Sequence, residues 1–147
     1  MSKKLYVDWS DVDYSARELV DWMKPRRFDC IVGLSRGGLP LAVIASNFLN
    51  LPMVPIVWQT RDGAFRDREG LKNVMKKYQN VLIVDDICDS GKTFNEIEEM
   101  FPNSSFYALV NKGNELVDFC SIDLGRDNEE WIVFPWEKKE RIRLFDN

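Results

Sequence analysis

Apolar positions along the chain follow two spacings, which together predict an ordered series of strands and helices. Short unbroken apolar runs such as Val81–Val84 are typical of parallel strands covered on both faces. Apolar residues three and four positions apart, as in Trp9–Met23, predict amphipathic helices. The predicted elements, in chain order, are strand Leu5–Val7, helix Trp9–Met23, strand Cys30–Val32, helix Pro40–Leu49, strand Pro52–Trp58, strand Val81–Val84, helix Phe94–Phe101, and strands Phe106–Val110, Val117–Ile122 and Trp131–Phe134.

Strands that alternate with helices indicate the α/β class, with a mainly parallel central sheet flanked by helices. At 147 residues the chain fits one domain, residues 1–147. Prolines in the strand Pro52–Trp58 favour an edge position for it or irregular strand ends. The segment Gln59–Asn80 is polar and highly charged, and a long segment of this kind is typical of a mobile loop or lid at a functional site.

Charge and composition restrict the partners of the chain. The net charge of −4 and the pI of about 4.9 argue against broad electrostatic capture of nucleic acid. The apolar runs are too short for a membrane span and the N-terminus lacks the apolar core of a signal peptide, so we expect a cytoplasmic location. Because the chain contains no histidine, a general base must be Asp, Glu, Lys, Tyr or Cys.

The stretch VLIVDDICDSGKT, residues 81–93, carries the clearest chemistry. Two adjacent acids, Asp85 and Asp86, follow an apolar strand, and a loop of small residues then precedes a predicted helix. A helix N-terminus binds anions because its first amides lack partners and its dipole favours negative charge. The P-loop of nucleotide triphosphatases requires glycine at the position of Asp86, so that function is excluded. Acids beside a phosphate loop predict a ligand shaped like ribose 5-phosphate.

This stretch resembles the phosphoribosyl-pyrophosphate (PRPP) motif of the type I phosphoribosyltransferases, in which an apolar strand, an acid pair and a phosphate loop follow one another. GLSRGGLP, residues 33–40, is similar to the pyrophosphate loop of that family, and residues 59–80 to its flexible catalytic loop. FPWE, residues 134–137, resembles the hood that covers the base. The chain as a whole is most similar to the short bacterial xanthine-guanine (6-oxopurine) phosphoribosyltransferases.

The resemblance implies two halves of a PRPP site. Asp85 and Asp86 would bind the ribose hydroxyls, and Asp86 would also contact Mg²⁺. The pyrophosphate loop would have a non-proline cis peptide at Ser35–Arg36. The ribose-phosphate site would comprise Asp85, Asp86, Cys88, Asp89, Ser90, Gly91, Lys92 and Thr93, and the pyrophosphate site Ser35, Arg36, Gly37 and Gly38.

The resemblance also implies roles at the base and in catalysis. In the hood, residues 112–136, Lys112 would contact O6 of the purine, Trp131 would stack on the base and Ile132 would supply backbone contacts, whereas Trp136 is expected to pack. A lysine donor favours guanine, xanthine or hypoxanthine over adenine. The implied catalytic residues are Asp89, as proton acceptor or donor near N7, and Arg36 and Arg68 at the pyrophosphate, with Arg68 preferred to Arg61 and Arg66.

The implied reaction transfers the 5-phosphoribosyl group from PRPP to N9 of a 6-oxopurine, with Mg²⁺ as cofactor and pyrophosphate and a nucleoside 5′-monophosphate as products. The enzyme would serve purine salvage and form a homo-oligomer, either a dimer or a tetramer. Two alternatives remain open at this point. One is a phosphoribosyltransferase for a different base, and the other is a non-catalytic PRPP- or nucleotide-sensing regulator on the same fold.

Overall fold

The computed structural model describes residues 3–61 and 63–137. Its elements, in chain order, are β1 (Lys4–Tyr6), α1 (Trp9–Met23), a 3₁₀ turn (Lys24–Arg26), β2 (Cys30–Ser35), α2 (Leu39–Leu49), β3 (Met53–Gln59), β4 (Phe65–Arg66), α3 (Arg68–Lys77), β5 (Val81–Cys88), α4 (Lys92–Met100), β6 (Ser105–Asn111), β7 (Phe119–Asp123) and β8 (Trp131–Val133). None of the described helices is both long and apolar enough to cross a lipid bilayer.

The main sheet has the strand order β4-β3-β2-β5-β6-β7, and its strands are parallel except for the short antiparallel β4. Strands β1 and β8 form a separate parallel pair. The order reverses between β2 and β5, because β3 lies on one side of β2 while β6 and β7 lie beyond β5. Such a reversal opens a crevice at the carboxyl ends of the two strands. The predicted α/β class is confirmed.

Alternate side chains of the central strands fill two apolar layers, one on each face of the sheet. Ile31 and Leu82 join the layer that α1 and α2 cover, whereas Val32 and Ile83 join the layer with α3 and α4. Burial on both faces explains why these strands are continuous apolar runs. The crevice at the ends of β2 and β5 therefore rests on a packed base.

The prediction of one long loop over Gln59–Asn80 is wrong for most of that segment. It contains β4 and the ten-residue helix α3, which Asp67 caps through its side chain. Leu71 and Val74 enter the core from α3. The apolar stripe of this helix is narrow and the charged residues around it hide it in the sequence. The connection between β3 and β4 is residues 60–64.

Two predicted strands also differ from the structure. Strand β3 lies between β2 and β4 and not at the edge, although β4 pairs only with Trp58 and Gln59 and leaves Pro55 exposed beyond it. Strand β5 continues past Val84 and includes the acid pair. The carboxylates predicted to bind the ligand are therefore strand residues, held by the ladder between β5 and β6.

Substitution of Leu71 with Ala tests whether α3 is packed. Leu71 is fully buried, so the variant loses apolar contacts and leaves a cavity, and we expect a loss of roughly 2–5 kcal/mol in the free energy of unfolding. Urea denaturation followed by circular dichroism measures it. Lys72→Ala, on the exposed side of the same helix, is the matched control and should change little. Equal stability of both variants would contradict a packed α3.

Candidate active site

The acid pair lies between two neighbouring cavities at the reversal of strand order. Residues 58–61 and 85–94 line one of about 390 Å³, which includes the whole phosphate loop. The other, of about 930 Å³, has Ser35–Gly37 and Trp136 in its lining. Asp85 and Asp86 line both cavities. The two predicted halves of the site therefore meet at these two carboxylates.

Adjacent strand residues normally point to opposite faces of the sheet, so two neighbouring acids would not share one site. The side chain of Asp85 is turned so that they do. Its Oδ1 accepts a hydrogen bond from the backbone N–H of Asp86 at 2.8 Å, so the first carboxylate folds back toward the second. Burial, followed by the charge of Asp86, raises the pKa of Asp85 well above its usual range. Burial also raises the pKa of Asp86, against hydrogen bonds that favour its charged form. Desolvated carboxylates of this kind favour a cation or hydroxyl donors.

Oxygen ligands in this position fit Mg²⁺. This cation is usually bound through one or two carboxylates and completes its shell with water and substrate phosphates. The described residues contain no cluster of three or more His, Cys, Asp or Glu side chains that would hold a metal ion. Asp86, with Asp85 beside it, is therefore the candidate Mg²⁺ contact in a site that a phosphorylated substrate completes.

The loop after β2 packs directly against the acid pair. Its peptide bond Ser35–Arg36 is cis, as the resemblance implied. A β-carbon on Gly37 would lie 1.9 Å from Oδ2 of Asp86, and one on Gly38 would lie 2.2 Å from the carbonyl oxygen of Val84. Only glycine fits such a close approach without displacing its neighbours. The loop and the end of β5 thus form two walls of one crevice.

The phosphate loop, residues 89–93, leads from β5 into α4. Gly91 immediately precedes the helix with a φ of +84°, which glycine adopts without strain. The N-terminus of α4 borders the same cavity as the acid pair, where it favours a phosphate group. Cys88 also borders this cavity but is buried, and burial raises the pKa of its thiol to about 12. This thiol is therefore a neutral packing group at physiological pH.

Lys112 lies on a third cavity, of about 430 Å³, together with Asp89. Its backbone N–H donates to the carbonyl oxygen of Cys88 at 3.0 Å, and its Nζ donates to that of Glu130 at 2.7 Å. The lysine is only 9% exposed, so its orientation is fixed. Trp131, which follows Glu130 in the chain, is 55% exposed and presents an open aromatic face.

Comparison with known proteins assigns the chain to a family. The family model described as a phosphoribosyl transferase domain matches residues 11–105. The chain belongs to this family. It is 32% identical to the xanthine-guanine phosphoribosyltransferase of Idiomarina loihiensis, over 92% of this chain and 88% of that protein. The protein of the same name from Vibrio parahaemolyticus is also 32% identical, over 93% and 91% of the two chains.

Solved structures of phosphoribosyltransferases have the same fold. The purine phosphoribosyltransferase of Pyrococcus horikoshii superposes with a TM-score of 0.69 at 26% identity, covering 92% of this chain and 95% of that one. The Helicobacter pylori xanthine-guanine-hypoxanthine phosphoribosyltransferase has a TM-score of 0.66 at 19% identity and full coverage of both chains. The second likeness shows the fold alone.

Three arginines of the phosphoribosyltransferase chain were candidates for the pyrophosphate, and they lie in different places. Arg61 lines the cavity of the phosphate loop. Arg66 forms a two-pronged ion pair with Glu96. The guanidinium carbon of Arg68 lies 5.7 Å from the centroid of the Trp58 ring. Among these three arginines, Arg61 alone borders the phosphate loop, and the choice of Arg68 for the pyrophosphate stays a prediction.

Sequence reasoning missed several residues of the site. Gln59 and Thr60 line the cavity of the phosphate loop, and so does Trp58. Their position at the end of a parallel strand was the available signal. Trp136 stacks on Phe134 with ring centroids 5.1 Å apart, as expected of a packing residue. It also lines the second cavity, and a hydrogen bond from its side chain lowers the pKa of Asp86. Ile132, the third residue predicted to contact the base, is buried beside β1.

Substitution of Gly37 with Ala tests the contact between the two loops. The new methyl group would collide with the Asp86 carboxylate, so we expect a loss of about 1–3 kcal/mol in the free energy of unfolding of the ligand-free protein. In an Asp86→Ala background the three carboxylate atoms nearest to the new methyl group are absent. Gly37→Ala should then change the free energy of unfolding little. A double-mutant cycle measured by chemical denaturation checks this coupling. Additive effects would contradict the contact.

Proposed function

We propose that the chain transfers the 5-phosphoribosyl group from PRPP to N9 of a 6-oxopurine, releasing pyrophosphate and forming a nucleoside 5′-monophosphate for purine salvage. The observation that carries the proposal is the packing of Gly37 against Asp86, since it joins the pyrophosphate loop and the ribose-phosphate loop in one crevice. Family membership and the names of the relatives at 32% identity support the same reaction.

In this proposal the chain holds PRPP at three points. Asp85 and Asp86 accept hydrogen bonds from the ribose hydroxyls, while the N-terminus of α4 and residues 89–93 bind the 5′-phosphate. Arg36 contacts the pyrophosphate, with Arg68 as the predicted second arginine there, and Arg61 borders the cavity of the 5′-phosphate. When bound, Mg²⁺ neutralises charge on the leaving pyrophosphate. The protein chiefly positions the ring and excludes water, because the reaction develops positive charge on the ribose and negative charge on the leaving group.

Base recognition is proposed to rest on Lys112, Trp131 and Asp89. An ammonium group donates three hydrogen bonds and accepts none, so the bond to Glu130 leaves two donors for O6 of a purine. Adenine offers an amino group at that position and cannot accept them. Asp89 borders the cavity that Lys112 also lines, which suits a proton acceptor or donor near N7. Trp131 supplies an exposed aromatic face for stacking.

We further propose a single phosphoribosyltransferase domain over residues 1–147, with residues 112–136 as the hood. The enzyme is proposed to act in the cytoplasm, without nucleic acid or membrane, as a homodimer or homotetramer. The family resemblance supports the oligomer, and sedimentation velocity over a range of protein concentrations tests it.

The direct test is an assay of purified protein with PRPP, Mg²⁺ and a panel of bases. We expect monophosphate products with guanine, xanthine or hypoxanthine, little product with adenine or orotate, and loss of activity in EDTA. Liquid chromatography of the nucleotides measures the products. Turnover of only adenine or a pyrimidine would contradict the base assignment. PRPP binding in calorimetry without turnover of any base would instead favour a regulator.

Substitution of Lys112 with Ala tests its role at O6. A hydrogen bond from a charged group contributes about 1.5–3 kcal/mol, so kcat/KM for guanine should fall by roughly 10-fold to 150-fold. The KM for PRPP should stay close to that of the wild type. Lys76→Ala, at the exposed C-terminal end of α3, is the control. An equal loss with respect to both substrates would indicate a general structural defect and contradict a specific role at the base.

A further inference from the structure

Glu96, on the polar side of α4, accepts three hydrogen bonds from the hairpin formed by β3 and β4. Its Oε1 accepts from Nε1 of Trp58 at 3.0 Å and from Nε of Arg66 at 2.7 Å. Its Oε2 accepts from a terminal guanidinium nitrogen of Arg66 at 2.9 Å. Both carboxylate oxygens of Glu96 are therefore engaged by two side chains that lie far from it in the sequence.

These hydrogen bonds hold the two strands of the hairpin at its base. Strands β3 and β4 pair at two positions, and Trp58 and Arg66 are direct partners across the ladder. Glu96 thus holds both strands at the same level. One residue further along β3, the chain enters the connection 60–64, which carries Arg61 into the cavity of the phosphate loop. Since residues 92 and 93 of that loop form the start of α4, the Glu96 carboxylate connects the base of the connection to the helix that supports the phosphate site.

The network is stronger than an ordinary surface ion pair. The side chains of Arg66 and Glu96 are only 16% and 27% exposed, so solvent and salt screen them less than they screen exposed pairs. The forked arrangement of arginine and carboxylate also fixes the relative orientation of the two groups. Hydrogen bonds from Arg66 and Trp58 lower the pKa of Glu96, although burial opposes them, so it is charged at neutral pH.

We propose that Glu96 is a positioning residue for PRPP binding. Glu96 holds the Trp58–Arg66 pair against α4. In this way it sets the position of Arg61 over the phosphate site and restricts the movement of the connection between β3 and β4. The identity of the ligand rests on the proposed function. The anchoring of the hairpin rests on the three hydrogen bonds to Glu96 alone and stands independently of the proposed function.

Glu96→Gln is the principal variant, and Glu99→Gln is its matched control, because Glu99 is exposed on the same helix and the charge change is the same. Misplacement of a binding group by about 1 Å can cost up to roughly 100-fold. We expect a rise of about 10-fold to 100-fold in the KM for PRPP with Glu96→Gln and an unchanged KM for guanine. The control should match the wild type.

Combination with Arg61→Ala separates positioning from simple stabilisation. If Glu96 acts through Arg61, its substitution should add little to the KM for PRPP in the Arg61→Ala background. All assays are run well below the melting temperature of each variant. A purely structural Glu96 would lower that temperature and leave the KM for PRPP unchanged, or its effect would add fully to that of Arg61→Ala. Either result would overturn the proposal.

Hydrogen exchange in the ligand-free protein keeps this test separate from the proposed function. Amides of residues 57–66 should exchange faster in Glu96→Gln than in the control or the wild type, whatever the substrate is. Unchanged exchange there would refute the anchoring. If the wild type neither binds nor turns over PRPP, the proposed function fails while this measurement still decides the anchoring. Should Glu96→Gln not fold, Arg66→Lys keeps the charge, removes the fork, and is expected to give the same two changes.

Discussion

The site depends on one close contact, between the glycine backbone after β2 and the carboxylate at the end of β5. Gly37 lies so near Asp86 that a methyl group has no space, and Gly38 is equally close to the carbonyl of Val84. Because the sheet fixes β2 beside β5, this contact fixes the distance between the two loops. The acid pair, the phosphate loop and the first turn of α4 then follow from the course of β5. The crevice is therefore set by how closely the glycine backbone after β2 approaches the end of β5.

A second group of contacts ties the base side to this crevice. The backbone N–H of Lys112 donates to Cys88, the last residue of β5, and its ammonium group donates to Glu130 beside Trp131. One lysine thus spans from the strand of the acid pair to the strand of the exposed tryptophan. Under the proposed function, the position of the base would therefore depend on the position of the ribose. A shift of β5 changes both.

Much of this arrangement is readable from the sequence, because it is encoded locally. The apolar run Val81–Val84, the acids after it and the loop before α4 are consecutive signals whose geometry follows from strand and helix termini, whereas the glycines at positions 37 and 38 were identified only through the family resemblance. The contribution of Glu96 is not local, since its partners lie 38 and 30 positions away and depend on how β3, β4 and α4 pack. Helix α3 was hidden for a related reason, because Leu71 and Val74 give its charged sequence only a narrow apolar stripe.

The small sheet of β1 and β8 has a practical consequence. Lys4–Tyr6 pairs with Trp131–Val133, and the backbone of Trp131 donates to the carbonyl oxygen of Lys3. Strand β1 is therefore a direct neighbour of the strand proposed to cover the base. A fluorescent label on a side chain of β1 would lie beside that strand. Labels for studies of base selectivity are better attached to an exposed side chain of α3, such as Lys76.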